Sequence, residues 1–529
     1  MKENIKEFSR RDFIKYTGLG AAALTLPSYS NGCKGFTGAN KRPNIIFIMS
    51  DDHAVNAVSS YGGILKEYAK TPNIDRIGSE GIRFEQSFCT NAICAPCRAV
   101  LLTGKYSHEN GLLDNSDEFD GSQMTFPKLL QQNGYKTAMV GKWHLKTDPT
   151  GFDYWNVLPG QGDYYNPVLI EMGERKNHNG YVTDIITDTA LNWMKGNPAE
   201  EPFCLLLHHK APHRNWMPDK KHLHLFDDVD LPVPETFFDD YSTRSEAARH
   251  QTLSIIEDMN LHWDLKLKPG ENTENLRGLE RSWRNKLRRL DEDQMAAWNE
   301  KYDPLDRSFR EANLSGEDLA VWKYQRYIKD YLRCIISVDE NVGRVLDYLD
   351  EAGIADNTLI VYTSDQGFFL GEHGWFDKRF MYEESLRMPL LVRYPDRIKK
   401  GTVNSDMVVN LDFAPTFLDY AGVPVPEDMQ GHSLRPVFEG NTPDDWRTSI
   451  YYHYYEYPAA HRVMKHYGIR TDRYKLIHFY DEIDEWELFD LQNDPNEMNN
   501  LYGNPEYSDI INKLKEELQE LRVQYGDTG

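Results

Sequence analysis

Asn44-Ile45-Ile46-Phe47-Ile48-Met49-Ser50-Asp51-Asp52-His53 sets an unbroken apolar run directly before two carboxylates and an imidazole. Thr358-Leu359-Ile360-Val361-Tyr362-Thr363-Ser364-Asp365-Gln366 repeats the arrangement far downstream. Runs this short and this apolar fit strands buried on both faces of a parallel sheet. Open α/β sheets bind ligands beyond the carboxyl ends of their strands, so both acidic turns fall where a site belongs. Residues 136–140 and 203–207 are further strand candidates, followed by Gly141-Lys142-Trp143-His144 and by His208-His209-Lys210-Ala211-Pro212-His213. Four strands thus deliver polar residues to one rim. Between them lie helical stretches, the clearest at 324–349, where Tyr324, Ile328, Tyr331, Ile335, Val338, Val342 and Val345 recur at helical spacing. The alternation indicates an α/β fold, a doubly wound, mostly parallel sheet with helices on both faces.

The flanking regions read differently. Ser9-Arg10-Arg11-Asp12-Phe13-Ile14-Lys15 and the short apolar stretch after it suit a twin-arginine export signal over residues 1–33, with Cys33 a candidate lipidation site. Residues 42–436 form the main domain. Within it, about 218–319 is charged, Trp-bearing and poor in strand signals. It is read as an insertion that covers the core or shapes a pocket rim, a solvated helical excursion being the simpler form. Residues 437–529 form a smaller C-terminal α+β subdomain, with antiparallel strands at 449–455, 475–479 and 486–489 and a closing helix begun by Ser508. With 529 residues, 40% of them hydrophobic, the chain can bury a large core, and its net charge of -23 argues against nucleic acid as a partner. A long polyanion would be repelled by most of this surface, which favours a pocket for one anionic end.

Asp51, Asp52, Asp365 and Gln366 offer only oxygen atoms, the preference of a hard divalent cation such as Ca2+ or Mg2+, although an Asp after a strand also serves as a helix cap. Cys94-Ala95-Pro96-Cys97-Arg98-Ala99-Val100-Leu101-Leu102-Thr103-Gly104-Lys105 reads as a short helix, with Pro96 in its first turn and Gly104 as its stop. Cys94 then stands at the N-terminus, where free N–H groups and the helix dipole favour an anion. The Cys94 and Cys97 spacing also suits a redox or zinc pair, but the other cysteines are scattered singly and complete no zinc site. Lys142, His144 and His213 carry the donors that a tetrahedral oxyanion and its leaving alkoxide require, while rim hydrogen bonding is the reading kept for His208 and His209. Lys378 lies in Gly371-Glu372-His373-Gly374-Trp375-Phe376-Asp377-Lys378-Arg379, a polar, aromatic loop read as a pocket wall.

With its motifs in this order, the chain from about 42 to 500 resembles a type I, formylglycine-dependent sulfatase of the alkaline-phosphatase superfamily. The resemblance implies that a sulfatase-maturating enzyme oxidises Cys94 to formylglycine (3-oxoalanine), whose hydrate attacks the sulfur of a sulfate ester. It further implies that Asp51, Asp52, Asp365, Gln366 and modified Cys94 bind Ca2+, with Mg2+ the alternative. Arg98 then orients the formylglycine, Lys142 and Lys378 clamp sulfate oxygens, His213 protonates the leaving sugar oxygen, and His144 assists breakdown of the sulfo-enzyme. Two positions depart from the commonest pattern: Cys97 stands where many sulfatases have Ser, and Gln366 replaces a frequent Asn.

The stretch 371–389 and Lys465-His466-Tyr467-Gly468-Ile469-Arg470-Thr471 are similar to bacterial sulfatases acting on glycosaminoglycans, including N-acetylglucosamine-6-sulfatases. The substrate that this implies is a sulfated glycan, cleaved by exo action at the 6-O-sulfate of N-acetylglucosamine or glucosamine in heparan-type or related chains. Trp375 is expected to stack on a sugar face, with His373, Asp377 and His466 as sugar contacts, although core packing is the plainer role for Trp375. Export would place the protein in a bacterial periplasm or at the cell surface. The alternatives are a sulfatase for another sugar position, a phosphomonoesterase or phosphonate hydrolase on the same fold, and a non-catalytic glycan-binding homologue.

Overall fold

The apolar runs become the centre of a ten-stranded sheet. Its strands are β1 (Asn44–Ser50), β2 (Ile82–Phe84), β3 (Lys136–Lys142), β4 (Tyr154–Leu158), β5 (Val168–Glu171), β6 (Glu174–Asn177), β7 (Phe203–His209), β8 (Thr358–Ser364), β9 (Leu390–Arg393) and β10 (Thr402–Asn404). They lie in the order β10-β2-β9-β8-β1-β7-β3-β4-β5-β6. Strands β8, β1, β7, β3 and β4 are mutually parallel, and β9 and β5 turn the flanks antiparallel, so the sheet is mixed around a parallel centre. The computed structural model describes residues 42–197, 201–269 and 278–528. The twin-arginine stretch and Cys33 lie outside the described residues.

Every residue of β1 is buried because the sheet is covered on both faces. Ile45, Phe47 and Met49 enter one core with helices α1 (Cys94–Thr103) and α5 (Phe413–Ala421); Ile46 and Ile48 enter the other with α2 (Val182–Lys195) and α4 (Gly316–Glu351). The register pairs Ser50 with His209 on one side and Ser364 on the other, so Asp51 and Asp365 leave adjacent strands together. Gly141 lets β3 approach β7 at the residue before Lys142: its φ is 108°, and a Cβ there would sit 1.9 Å from the His208 carbonyl oxygen.

The stretch read as a solvated excursion is instead part of the core. Among the described residues it is helical and irregular, with α3 (Glu292–Ala312) its longest element before α4 begins. Trp283 and Trp298 are fully buried, as are Asp264 and Lys266. C-terminal strands β11 (Ser449–Tyr454), β12 (His466–Thr471), β13 (Tyr474–Phe479) and β14 (Glu485–Asp490) form an antiparallel sheet, covered by α6 (Ser508–Gln524) through Ile511, Leu514 and Leu518. Strand β12 carries no apolar alternation, because Gly468 and Arg470 occupy buried positions, so its residues read as no strand in advance. The described residues pack as one compact unit.

Candidate active site

Asp51, Asp52 and Asp365 converge at the ends of β1 and β8, one oxygen of each within 4.8 Å of the others, and all three almost without exposure. Asp52 adopts φ 67°, an unfavourable backbone conformation for a residue with a side chain. It is held from two sides: Tyr331 Oη on α4 donates to its carbonyl at 2.7 Å, and its N–H donates to Asp365 Oδ1 at 3.2 Å. Cys94, at the start of α1, is 1% exposed and shares a second cluster with Asp51 and His213. Asn115 Oδ1 accepts from the Ala95 N–H at 3.1 Å and Gly104 closes the helix at φ 65°, so the expected start and stop both hold.

Three cations are built into the cluster. Arg98 Nη2 donates to Asp365 Oδ2 at 3.0 Å and lies 3.7 Å from Asp51, while Nη1 reaches the Lys142 carbonyl at 2.5 Å. Lys378 Nζ donates to both Asp52 oxygens at 2.6 and 2.8 Å, and Lys142 Nζ donates to Asp51. Gln366 donates its amide to Asp52 and lies 4.0 Å from the Cys94 sulfur. His213 Nδ1 meets the Arg214 carbonyl at 2.5 Å, which leaves Nε2 facing Asp52 at 3.8 Å. Burial and the neighbouring Lys142 lower the proton affinity of His144, and its Nδ1 has no hydrogen-bond partner among the described residues.

The electrostatics leave room for a dication. Burial and the adjacent Asp51 push Asp365 up to about 8, and burial raises Asp52 to about 6 against the pull of Lys378. Burial would raise Asp51 too, but Lys142, His213 and Arg98 overcome it and hold that carboxyl well below its ordinary value. Among the described residues, Asp51 Oδ1 and Gln366 Oε1 are buried without a hydrogen-bond partner. Unpartnered oxygens beside mutually repelling carboxylates fit a hard divalent cation.

Four expected sugar contacts fare differently. Trp375 is fully buried, stacked on Phe380 at 4.9 Å and Tyr241 at 5.3 Å, so no sugar face can reach it. His373 packs on Trp375 with Nδ1 3.0 Å from Asp239, and His466 bonds the Met381 N–H and the Met464 carbonyl; both are fully buried. These three are corrected to packing residues. Asp377 does reach the centre, beside Lys378 and 3.5 Å from His461. Sequence reasoning missed His461 and Arg214, which touch each other at 3.2 Å next to His213. Only the adjacency of Arg214 to His213 could have pointed to it. Cys97 donates to the Asn91 carbonyl at 2.9 Å, and both it and Cys94 are free thiols.

A ten-stranded sheet with acids, lysines and a buried cysteine at its carboxyl rim is the sulfatase arrangement, and the sulfatase family model matches residues 43–423. The chain belongs to the sulfatase family and is a sulfuric ester hydrolase. The model for the C-terminal part of N-sulphoglucosamine sulphohydrolase matches 371–524. The chain is 53% identical to the N-acetylglucosamine-6-O-sulfatase of Bacteroides thetaiotaomicron, over 96% of this chain and 91% of the relative. It is 27% identical to the human N-acetylglucosamine-6-sulfatase, over 80% of this chain and 70% of that one. A solved structure in complex with its substrate, D-glucosamine-2-N,6-O-disulfate, superposes with a TM-score of 0.89 at 53% identity, covering 92% of this chain and 99% of the other.

Proposed function

We propose that this chain removes the 6-O-sulfate from a terminal N-acetylglucosamine or glucosamine of heparan-type or related glycans. The observation that carries the reading is identity of 53% along almost the whole chain to an N-acetylglucosamine-6-O-sulfatase, joined to a complete buried cluster. Residues Asp51, Asp52, Asp365 and Gln366 would hold the metal, Ca2+ or Mg2+. Bound there, the cation would offset the repulsion of the carboxylates and stabilise negative charge on reacting oxygens. Residue 94, matured to formylglycine and hydrated, would offer two hydroxyls on one carbon, one for attack on sulfur and one whose deprotonation releases sulfate.

The chain's own residues supply the rest. Arg98 is fixed by Asp365 and the Lys142 carbonyl, which holds it beside residue 94. Lys142 and Lys378 bring two ammonium groups to the non-bridging sulfate oxygens without reorganisation. His213, its Nδ1 tied to the Arg214 carbonyl, presents Nε2 to the leaving sugar oxygen. His144 takes the proton that sulfate release requires. Asp377, beside Lys378 and 3.5 Å from His461, would accept from a sugar hydroxyl. Export by the twin-arginine machinery to the periplasm or cell surface, with either lipidation at Cys33 or ordinary cleavage near it, and maturation of Cys94 by a dedicated enzyme complete the reading.

A sulfate-release screen over defined sulfated mono- and disaccharides, with protein co-produced with a maturation enzyme, tests it. Release from 6-sulfated N-acetylglucosamine is the expected result. Silence on that sugar with turnover of a 2-sulfated uronic acid would overturn the substrate assignment while leaving the enzyme class intact.

A further inference from the structure

The insertion reaches the mouth of the site through two of its residues. Asp264, fully buried, accepts from Arg214 Nε at 2.7 Å and from Nη2 at 2.8 Å. Such a two-point grip fixes the guanidinium plane as well as its position. The Thr252 carbonyl faces His461 Nδ1 at 2.7 Å, so that nitrogen carries the proton and Nε2 is left to accept from Arg214 Nη1 at 3.2 Å. The same Nε2 stands 3.5 Å from Asp377 Oδ2, a proximity and not a hydrogen bond in this tautomer, and Asp377 is the neighbour of Lys378. Arg214 also lies 5.0 Å over the Phe376 ring and precedes no free loop, since His213 bonds its carbonyl. A line of contacts results, running from His213 through Arg214 and His461 to Asp377 and its neighbour Lys378, and its two outer anchors, Asp264 and the Thr252 carbonyl, come from the insertion.

We propose that Asp264 is a positioning residue of this sulfatase: by holding Arg214, and through it His461, it makes a rigid polar wall against the sugar that bears the sulfate. The inference rests on the substrate being a sugar sulfate, because a small aryl sulfate presents only a flat ring and needs no such wall. Asp264 touches none of the reacting groups. Its loss leaves Arg214 without its buried partner and free to swing, which weakens sugar binding more than it weakens sulfate-ester cleavage itself.

The test compares 6-sulfated N-acetylglucosamine with 4-nitrophenyl sulfate in the wild type, Asp264→Asn, Arg214→Gln and the double variant, each matured at residue 94. The aryl sulfate and a thermal melt report the folded, active fraction. Asp264→Asn is expected to lower the sugar-to-aryl ratio of kcat/KM on the order of tenfold, mostly through KM. Added to Arg214→Gln, it changes that ratio by less than about twofold, because the two act as one unit. Parallel loss on both substrates, or losses that multiply in the double variant, overturn the proposal and leave Asp264 a structural acid. Wild-type turnover of the aryl sulfate with none of the sugar sulfate overturns the substrate reading instead, and the wall's purpose with it.

Discussion

Two sealed clusters follow strand β8, and they are made of opposite materials. Around Asp365 three carboxylates face one another among two lysines and an arginine; around Trp375 the rings of Tyr241, Phe380 and Tyr382 lie in stacked array. Burial of aromatic area favours the fold directly. Burial of like charges does not, and even well-paired buried ions contribute little net stability. A chain that keeps the first cluster does so for chemistry, and one that keeps the second does so for packing. Substitutions should therefore separate activity from stability along this one loop.

The largest effect belongs to the acidic side. Cys94→Ala should reduce sulfate release at least about 10^4-fold with little change in melting temperature, measured by ion chromatography of free sulfate and by calorimetry. Asp365→Asn should abolish stoichiometric metal by elemental analysis and lower kcat/KM at least about 10^3-fold, while the metal-free variant melts no lower than the metal-free parent. A pH series on chelated protein sharpens the contrast. Asp365 binds its proton more tightly folded, at about 8, than a free carboxyl does at 3.8, so the metal-free fold holds a proton that the unfolded chain has lost. The part of the stability that Asp365 contributes then declines as pH rises from about 4 to about 8, read as the difference between chelated parent and chelated Asp365→Asn, and metal should flatten that difference. A difference that grows over that range would break the comparison.

The aromatic side predicts the reverse. Trp375→Ala should cost about 3–5 kcal/mol in denaturant unfolding while kcat/KM per folded molecule stays within about twofold. A selective rise in KM for sugar would restore Trp375 to the pocket. The smallest effect is expected at Asp239, which binds His373 at 3.0 Å and Arg244 at 2.7 Å. Burial opposes its charge, yet the His373 hydrogen bond and Arg244 hold its carboxyl below the ordinary value of 3.8. Its contribution is complete above that value and fades as pH falls further, so Asp239→Asn should lose about 1–2 kcal/mol near neutrality and less in acid.

The same contrast explains what was legible in the sequence. Asp51, Asp52 and Asp365 could be read because each ends an apolar run whose strand placement fixes where the next side chain goes. Lys142 and His213 follow strands in the same way. Trp375, His373 and His466 could not, since a loop of rings and polar groups has the same composition whether it lines a pocket or fills a core. His461 and Asp264 gave no local signal, because their roles arise from contacts between segments far apart in the chain. The insertion's burial was hidden likewise: its charged residues are paired inward, as Lys266 is with Asp330 at 3.2 Å.

All ten residues of α1 are buried, and Cys94 at its head shows only 1% of its surface. No macromolecular catalyst can grasp a peptide so enclosed, and solvent itself meets little of that sulfur. If Cys94 is matured as proposed above, the enzyme that oxidises it would have to meet the nascent or opened chain, and the timing of synthesis and collapse would then decide how many molecules become competent.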